Sequence, residues 1–191
     1  TNHDEVKAKG LRGLVGDQSV DVVIGGPPCQ AYSIAGRAQD KNSMKEDYRN
    51  YLFESFVNVV DEFRPKLFVF ENVPGILTAK PGDRLVIERI FEAFHEIGYR
   101  IKAPEKLKEA LYTATDFGVA QKRNRIIIVG VREDLKVDLE QVYQAIDAQK
   151  TNDICTVADV LQDLPAFYPL ATPQKIKGKN VSHLGAPHDI H

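Results

Sequence analysis

Three short runs dense in β-branched and aromatic residues, "DVVI" from Asp21, "KLFVF" from Lys66 and "RIIIVGVR" from Arg125, constrain the fold more than any other feature. Each reads as a strand with both faces buried. Between the first two lies "NYLFESFVNVVDEFRP", where Phe53, Phe56, Val57, Val60 and Phe63 recur at helical spacing. Asn50 is a candidate cap, and Pro65 ends the run. Between the second and third lies "DRLVIERIFEAFHEIG", with Ile87, Ile90, Phe91, Phe94 and Ile97 on one face, Asp83 as a candidate cap and Gly98 at the C′ position. Strands alternating with amphipathic helices predict parallel βαβ units and a doubly wound α/β sheet. "YRIKA" is a further strand candidate, "LEQVYQAIDAQ" a short helix and "TVADVLQDLP" a docked segment. From Tyr168 onward Pro, Gly, Lys and His predict loops.

A chain of 191 residues that is 43% hydrophobic can bury one substantial core. No apolar run is long enough to span a membrane, and no signal peptide opens the sequence, so a cytoplasmic setting is expected. Two cysteines far apart make no disulfide framework, and a reducing compartment leaves Cys29 free for chemistry. Net charge of −2 argues weakly against a nucleic-acid partner, because basic side chains can still gather on one face. Cys155 with His183, His188 and His191 fits no common zinc-ligand spacing, so no metal site is expected.

The strand ends carry the residues suited to catalysis. The first strand runs into Gly25-Gly26-Pro27-Pro28-Cys29, the second into Glu71-Asn72-Val73, and "QKRNR" precedes the third. The carboxyl edge of an open α/β sheet is where such proteins place ligands. If "QKRNR" is extended, Gln121, Arg123 and Arg125 share one face. Each residue also has an ordinary reading: Cys29 as a small buried hydrophobe, Glu71 as an ion-pair partner, the arginines as a solvated rim. Their conjunction favours a site.

"GGPPCQAYSIAGR", "FENVPGI" and "DFGVAQKRNRIIIVGVR", in this order and spacing, resemble the C5-cytosine DNA methyltransferases, over roughly residues 21–165. "RNYLF" and "VLQDLP" are similar to family segments as well. The resemblance implies a Rossmann-like methyltransferase domain with a doubly wound, mostly parallel sheet, here partial, over residues 1–165. Residues 166–191 would form the loop-rich start of a target-recognition region. It implies S-adenosylmethionine as methyl donor and double-stranded DNA as substrate. A cognate restriction endonuclease is a possible partner, and a bacterial, monomeric, DNA-associated enzyme is expected.

Carried over by position, the resemblance makes Cys29 the nucleophile that adds to C6 of a flipped-out cytosine. Glu71 would hold N3 and the exocyclic amine, and Arg125 would contact O2. Arg123 would support the thiolate or a nearby phosphate. Pro28 and Leu52 match cofactor-contacting positions, and Gln30, Ser33, Arg37 and Gln121 are candidates for nucleic-acid contact. The polar stretch "QAYSIAGRAQDKNSMKEDYRN" suits a loop that closes over DNA. The family's glycine-rich cofactor loop is not found ahead of Cys29, and "GLRGLVG" reads as a turn-rich connection. Ala120 stands where the family usually has Pro. This stretch alone is therefore expected not to transfer methyl groups, while a full protein containing it would. Two rival readings are a transfer-RNA cytosine methyltransferase, disfavoured by "PPCQAYSIAG", and a catalytically inactive DNA-binding module.

Overall fold

The computed structural model describes residues 10–27, 52–162, 167–176 and 179–185. Its main sheet contains β1 (Val22–Gly25), β2 (Leu67–Asn72), β3 (Tyr99–Arg100), β4 (Leu111–Thr113) and β5 (Asn124–Arg132). The order is β1-β2-β5-β3, with β4 also pairing β5. The helices are α1 (Leu52–Phe63), α2 (Val86–Glu96), α3 (Leu139–Asp147) and α4 (Val157–Leu161). The three principal strands and both long helices therefore stand where the hydrophobic periodicity puts them.

Strand direction differs from the expected parallel pattern. β1 and β2 are parallel, but β5 runs antiparallel to β2, and β3 and β4 run antiparallel to β5. An apolar run buried on both faces reads the same in either direction, so the sequence pattern does not set this sign. The result is a mixed α/β sheet.

Alternation along β2 divides the sheet into two unlike faces. Phe68, Phe70 and Asn72 point to one side, and Leu67, Val69 and Glu71 to the other. On the first side α1 and α2 bring Phe56 and Phe94 against the strand. Phe68 stacks on Phe94 with centroids 4.1 Å apart, and Phe56 meets Phe70 edge-on at 5.4 Å. The approach at Gly130 is so close that a Cβ there would lie 2.0 Å from the Phe68 ring. On the second side, α3 covers part of β5, whereas Ile24 of the edge strand β1 is 74% exposed.

Several local expectations are revised. Residues 10–15 are helical, not a turn-rich connection, because Leu11 and Val15 line an apolar cleft with Val23 and Phe63. α2 begins after Leu85 rather than Asp83; the Leu85 amide donates to the Glu88 carboxylate at 3.1 Å, which satisfies one of the orphan groups of the first turn. Gly98 does take the left-handed backbone (φ 77°) expected after the helix. The "VADVLQDLP" segment is not docked among the described residues: Ile154, Val157, Val160 and Leu161 are all exposed. Where loops were expected after Tyr168, β6 (Phe167–Ile176) and β7 (Lys179–Gly185) form an antiparallel hairpin. Its register shifts between Pro169 and Gln174, which accommodates the prolines that made the stretch read as loop.

Candidate active site

β2 is the strand around which the site is organised. At its carboxyl end the strand alternation sends Glu71 to the open face and Asn72 into the protein. The Glu71 carboxylate receives the Arg125 guanidinium, with Nε 2.6 Å from Oε1, and both side chains remain partly accessible. Arg125 reaches this position because β5 runs antiparallel to β2, which brings the start of β5 beside the end of β2. The reversed strand is thus what joins "FEN" to "RNR" in space.

Gly26 closes the other side of the carboxylate. A Cβ at this position would lie 2.9 Å from Glu71 Oε2, so any side chain here would push the carboxylate from its present place. Asn72 fixes the same turn from beneath. Its side-chain amide donates to the Pro27 carbonyl at 3.2 Å, and its Oδ1 accepts the Val73 amide at 3.0 Å. At 2% exposure this is one of two polar or charged residues buried in the described core. Asn72 was not assigned a role from sequence, although a carboxamide closing an apolar strand is a signal that could have found it.

Arg123 and Arg125 both line a cavity of about 270 Å³, with Tyr112, Ala114, Phe117, Val119, Ile127 and Ile146. Gln121 does not line that cavity; its amide closes a tight turn on the Val119 carbonyl at 2.7 Å, and the strand begins only at Asn124. The extended run therefore covers Arg125 but not Gln121. A somewhat larger cavity, about 310 Å³, lies between α1 and α2 and holds the Arg84–Glu92 ion pair, with no strand-end residue.

Leu52 opens α1 and is half-buried. Cys29, Pro28, Gln30, Ser33 and Arg37 lie outside the described residues, as do the residues of the expected closing loop. No cluster of three or more metal-ligating side chains occurs among the described residues. No described helix is long and apolar enough to cross a membrane.

The mixed α/β sheet is consistent with a Rossmann-like methyltransferase fold. A solved structure described as a DNA modification methyltransferase encoded within an E. coli prophage matches 92% of this chain and 46% of its own, at 25% identity and a TM-score of 0.56. The chain belongs to the C-5 cytosine-specific DNA methylase family, whose model matches residues 2–184. Type II methyltransferase M.Bpa9945I of Bacillus paralicheniformis is 45% identical over 79% of this chain and 34% of its own length. Type II methyltransferase M.DdeI of Desulfomicrobium norvegicum is 35% identical over 78% of this chain and 33% of its own. The chain thus spans about a third of the length of these curated relatives.

Proposed function

We propose that this chain forms the base-binding and nucleophilic part of an enzyme that methylates C5 of cytosine in double-stranded DNA, the donor being S-adenosylmethionine. The observation that carries the proposal is the Glu71–Arg125 pair at the joined ends of β2 and β5, with Gly26 against the carboxylate. An acid and a guanidinium side by side present an acceptor and donors together, which suits the N3, amine and O2 edge of one cytosine.

The chemistry asked of the chain follows from the base. C5 of cytosine is a weak nucleophile, and addition of a thiolate at C6 converts the ring into an enamine whose C5 can take a methyl cation. Cys29 is the group proposed to add. Three peptide units join it to Gly26, a tether of at most about 11 Å. Glu71 holds N3 and the exocyclic amine, and keeps a proton on N3 as electron density moves onto the ring. Arg125 steadies O2, while Arg123 offers positive charge to the thiolate or to a backbone phosphate. After methylation, loss of the C5 proton and β-elimination return the sulfur. None of this is possible within a stacked duplex, so the base must leave the helix, with Gln30, Ser33, Arg37 and Gln121 as the proposed DNA contacts.

S-adenosylmethionine supplies the methyl group when bound. Among the described residues only Leu52 matches a cofactor-contacting position. The described part of this chain does not fit a whole cofactor site, and the steps assigned to it concern the base. A cognate restriction endonuclease is the proposed biological partner, and the proposed working form is a cytoplasmic, DNA-associated bacterial monomer. The test is methyl transfer to duplex DNA by the full-length protein containing this chain, read as 5-methylcytosine. Wild type should transfer, and Cys29→Ser should lose more than about a thousandfold of the rate. Transfer to transfer RNA but not to DNA, or undiminished transfer by Cys29→Ser, would reject the proposal.

A further inference from the structure

β5 is incompletely partnered along one edge. Its β2 edge is continuous from Val131 to Ile126. On the other edge β4 covers Asn124–Ile126 and β3 covers Val131–Arg132, which leaves Ile127–Gly130 facing no strand among the described residues. Val129 is 2% exposed, so its amide must find a partner inside the protein.

That partner is a side chain. Tyr143 of α3 accepts the Val129 amide on its hydroxyl at 3.0 Å and donates a longer bond to the Ile127 carbonyl at 3.4 Å. The N–H of residue 129 and the C=O of residue 127 point to the same edge of a strand, so one hydroxyl takes the place of the absent neighbour. Burial pushes the phenol up to about 12, against the smaller opposing effect of the Val129 amide. It therefore stays protonated, and able to donate as well as accept, throughout the neutral range. The helix that presents it is itself held down. The Lys102 ammonium lies 4.6 Å from the Tyr143 ring centre and is gripped by Glu140 at 2.7 Å and Glu109 at 3.0 Å.

The bridge lies next to the functional pair. The β2–β5 ladder ends at Asn72↔Ile126, so Arg125 is one residue beyond it, and its remaining strand partner is Tyr112 of β4. β4 is three residues long, and the gap that Tyr143 fills is what separates it from β3. With the gap unbridged, the leading end of β5 could tilt with β4 while the rest stayed on β2. The Arg125 guanidinium would then move relative to Glu71.

We propose that Tyr143 is a positioning residue for Arg125: its hydroxyl completes the broken edge of β5 and so fixes the guanidinium against the Glu71 carboxylate. The inference rests on the functional reading above and adds a residue outside the motifs that support it. An error of about 1 Å in such a group can cost about a hundredfold in rate.

The experiment compares Tyr143→Phe with wild type in the full-length protein. Amide exchange at Val129 should quicken by about tenfold or more, and the single-turnover rate of DNA methylation should fall about tenfold with KM for DNA little changed. In an Arg125→Lys background the same substitution should cost almost nothing, because its effect acts through Arg125. Unchanged exchange at Val129, an unchanged single-turnover rate, or a loss that is merely additive with Arg125→Lys overturns the proposal. If the wild-type protein methylates no DNA, the functional reading fails by itself. Exchange at Val129 and at the Arg125 Nε proton then decides the role of Tyr143, and both must quicken. Should Tyr143→Phe fold too poorly to assay, Glu140→Gln loosens the grip on Lys102 and leaves the phenol in place. It must show the same pattern at smaller size, and wild-type behaviour of that variant contradicts the proposal.

Discussion

The two faces of the β2–β5 ladder, built from alternate residues of the same strands, do opposite work. Phe68, Phe70, Ile126 and Ile128 are fully buried beneath α1 and α2, within a group of aromatic rings in mutual contact. One residue along, Glu71 and Arg125 keep 38% and 24% of their side-chain surface in solvent and hold an ion pair at the strand ends. The buried face can be rigid because nothing has to enter it. The open face is placed by that rigidity and stays accessible to a ligand. Asn72 belongs to the first face by alternation, yet serves the second by fixing Pro27 and hence the turn that presses Gly26 against Glu71.

If this division holds, substitutions on the two faces should separate cleanly. Phe68→Ala should cost about 3–5 kcal/mol of stability, because it removes a ring that touches Phe56, Phe94 and Tyr99 and leaves a cavity. Denaturant unfolding measures this, and a loss under 1 kcal/mol would show that the core is not organised around β2. Glu71→Gln should do the reverse, lowering methylation by the full-length protein by about a hundredfold while the melting temperature stays within a few degrees. An equally active Glu71→Gln enzyme would remove the carboxylate from the mechanism. Asn72→Ala should fall between the two. It leaves the Pro27 carbonyl and the Val73 amide without their present partner, at about 1–3 kcal/mol. It should also reduce activity in the protein that remains folded; loss of stability alone would place Asn72 wholly on the structural side.

The smallest effect concerns α3. Burial opposes the charge on Lys102, but the hydrogen bonds it donates to Glu140 and Glu109 outweigh it, and the net shift is upward from 10.5. A cation whose pKa is raised on folding stabilises the fold fully below its unfolded value, and that contribution disappears as pH rises through the folded one. Tyr112 and Tyr143, raised by burial from 10.0, act in the same direction over a window that opens slightly lower. Thermal melts should therefore drop above pH 10.5, less steeply in Lys102→Met than in wild type. An identical slope would mean that the clamp contributes nothing.

What the sequence revealed follows the same division. The inward side of α1 and α2 was legible residue by residue, since the helical period fixes it, whereas β2 and β5 read as apolar on both faces and their two sides were not told apart. Glu71 and Arg125 were recognisable as members of one site, though not as an ion pair, because both end or begin strands in motifs that resemble a known family. The antiparallel sense of β5, which brings them together, was not legible, because pairing direction depends on tertiary contacts that the apolar pattern does not encode. Asn72 and Tyr143 escaped for a related reason. Each acts by hydrogen-bonding a distant backbone group, Pro27 in one case and Val129 in the other, and no local spacing announces such a partner. The Pro-rich hairpin β6–β7 was read as loop because composition weighs prolines without knowing that a register shift can absorb them.

The most direct test of the account is to incubate the full-length protein with S-adenosylmethionine and duplex DNA carrying 5-fluorocytosine at the target base. Fluorine at C5 cannot leave as a proton does, so the final elimination is blocked. The account predicts a stable protein–DNA adduct, mapped by mass spectrometry to the sulfur of Cys29 and absent from Cys29→Ser. An adduct that persists in Cys29→Ser, or none forming with an enzyme that methylates ordinary cytosine, would contradict it.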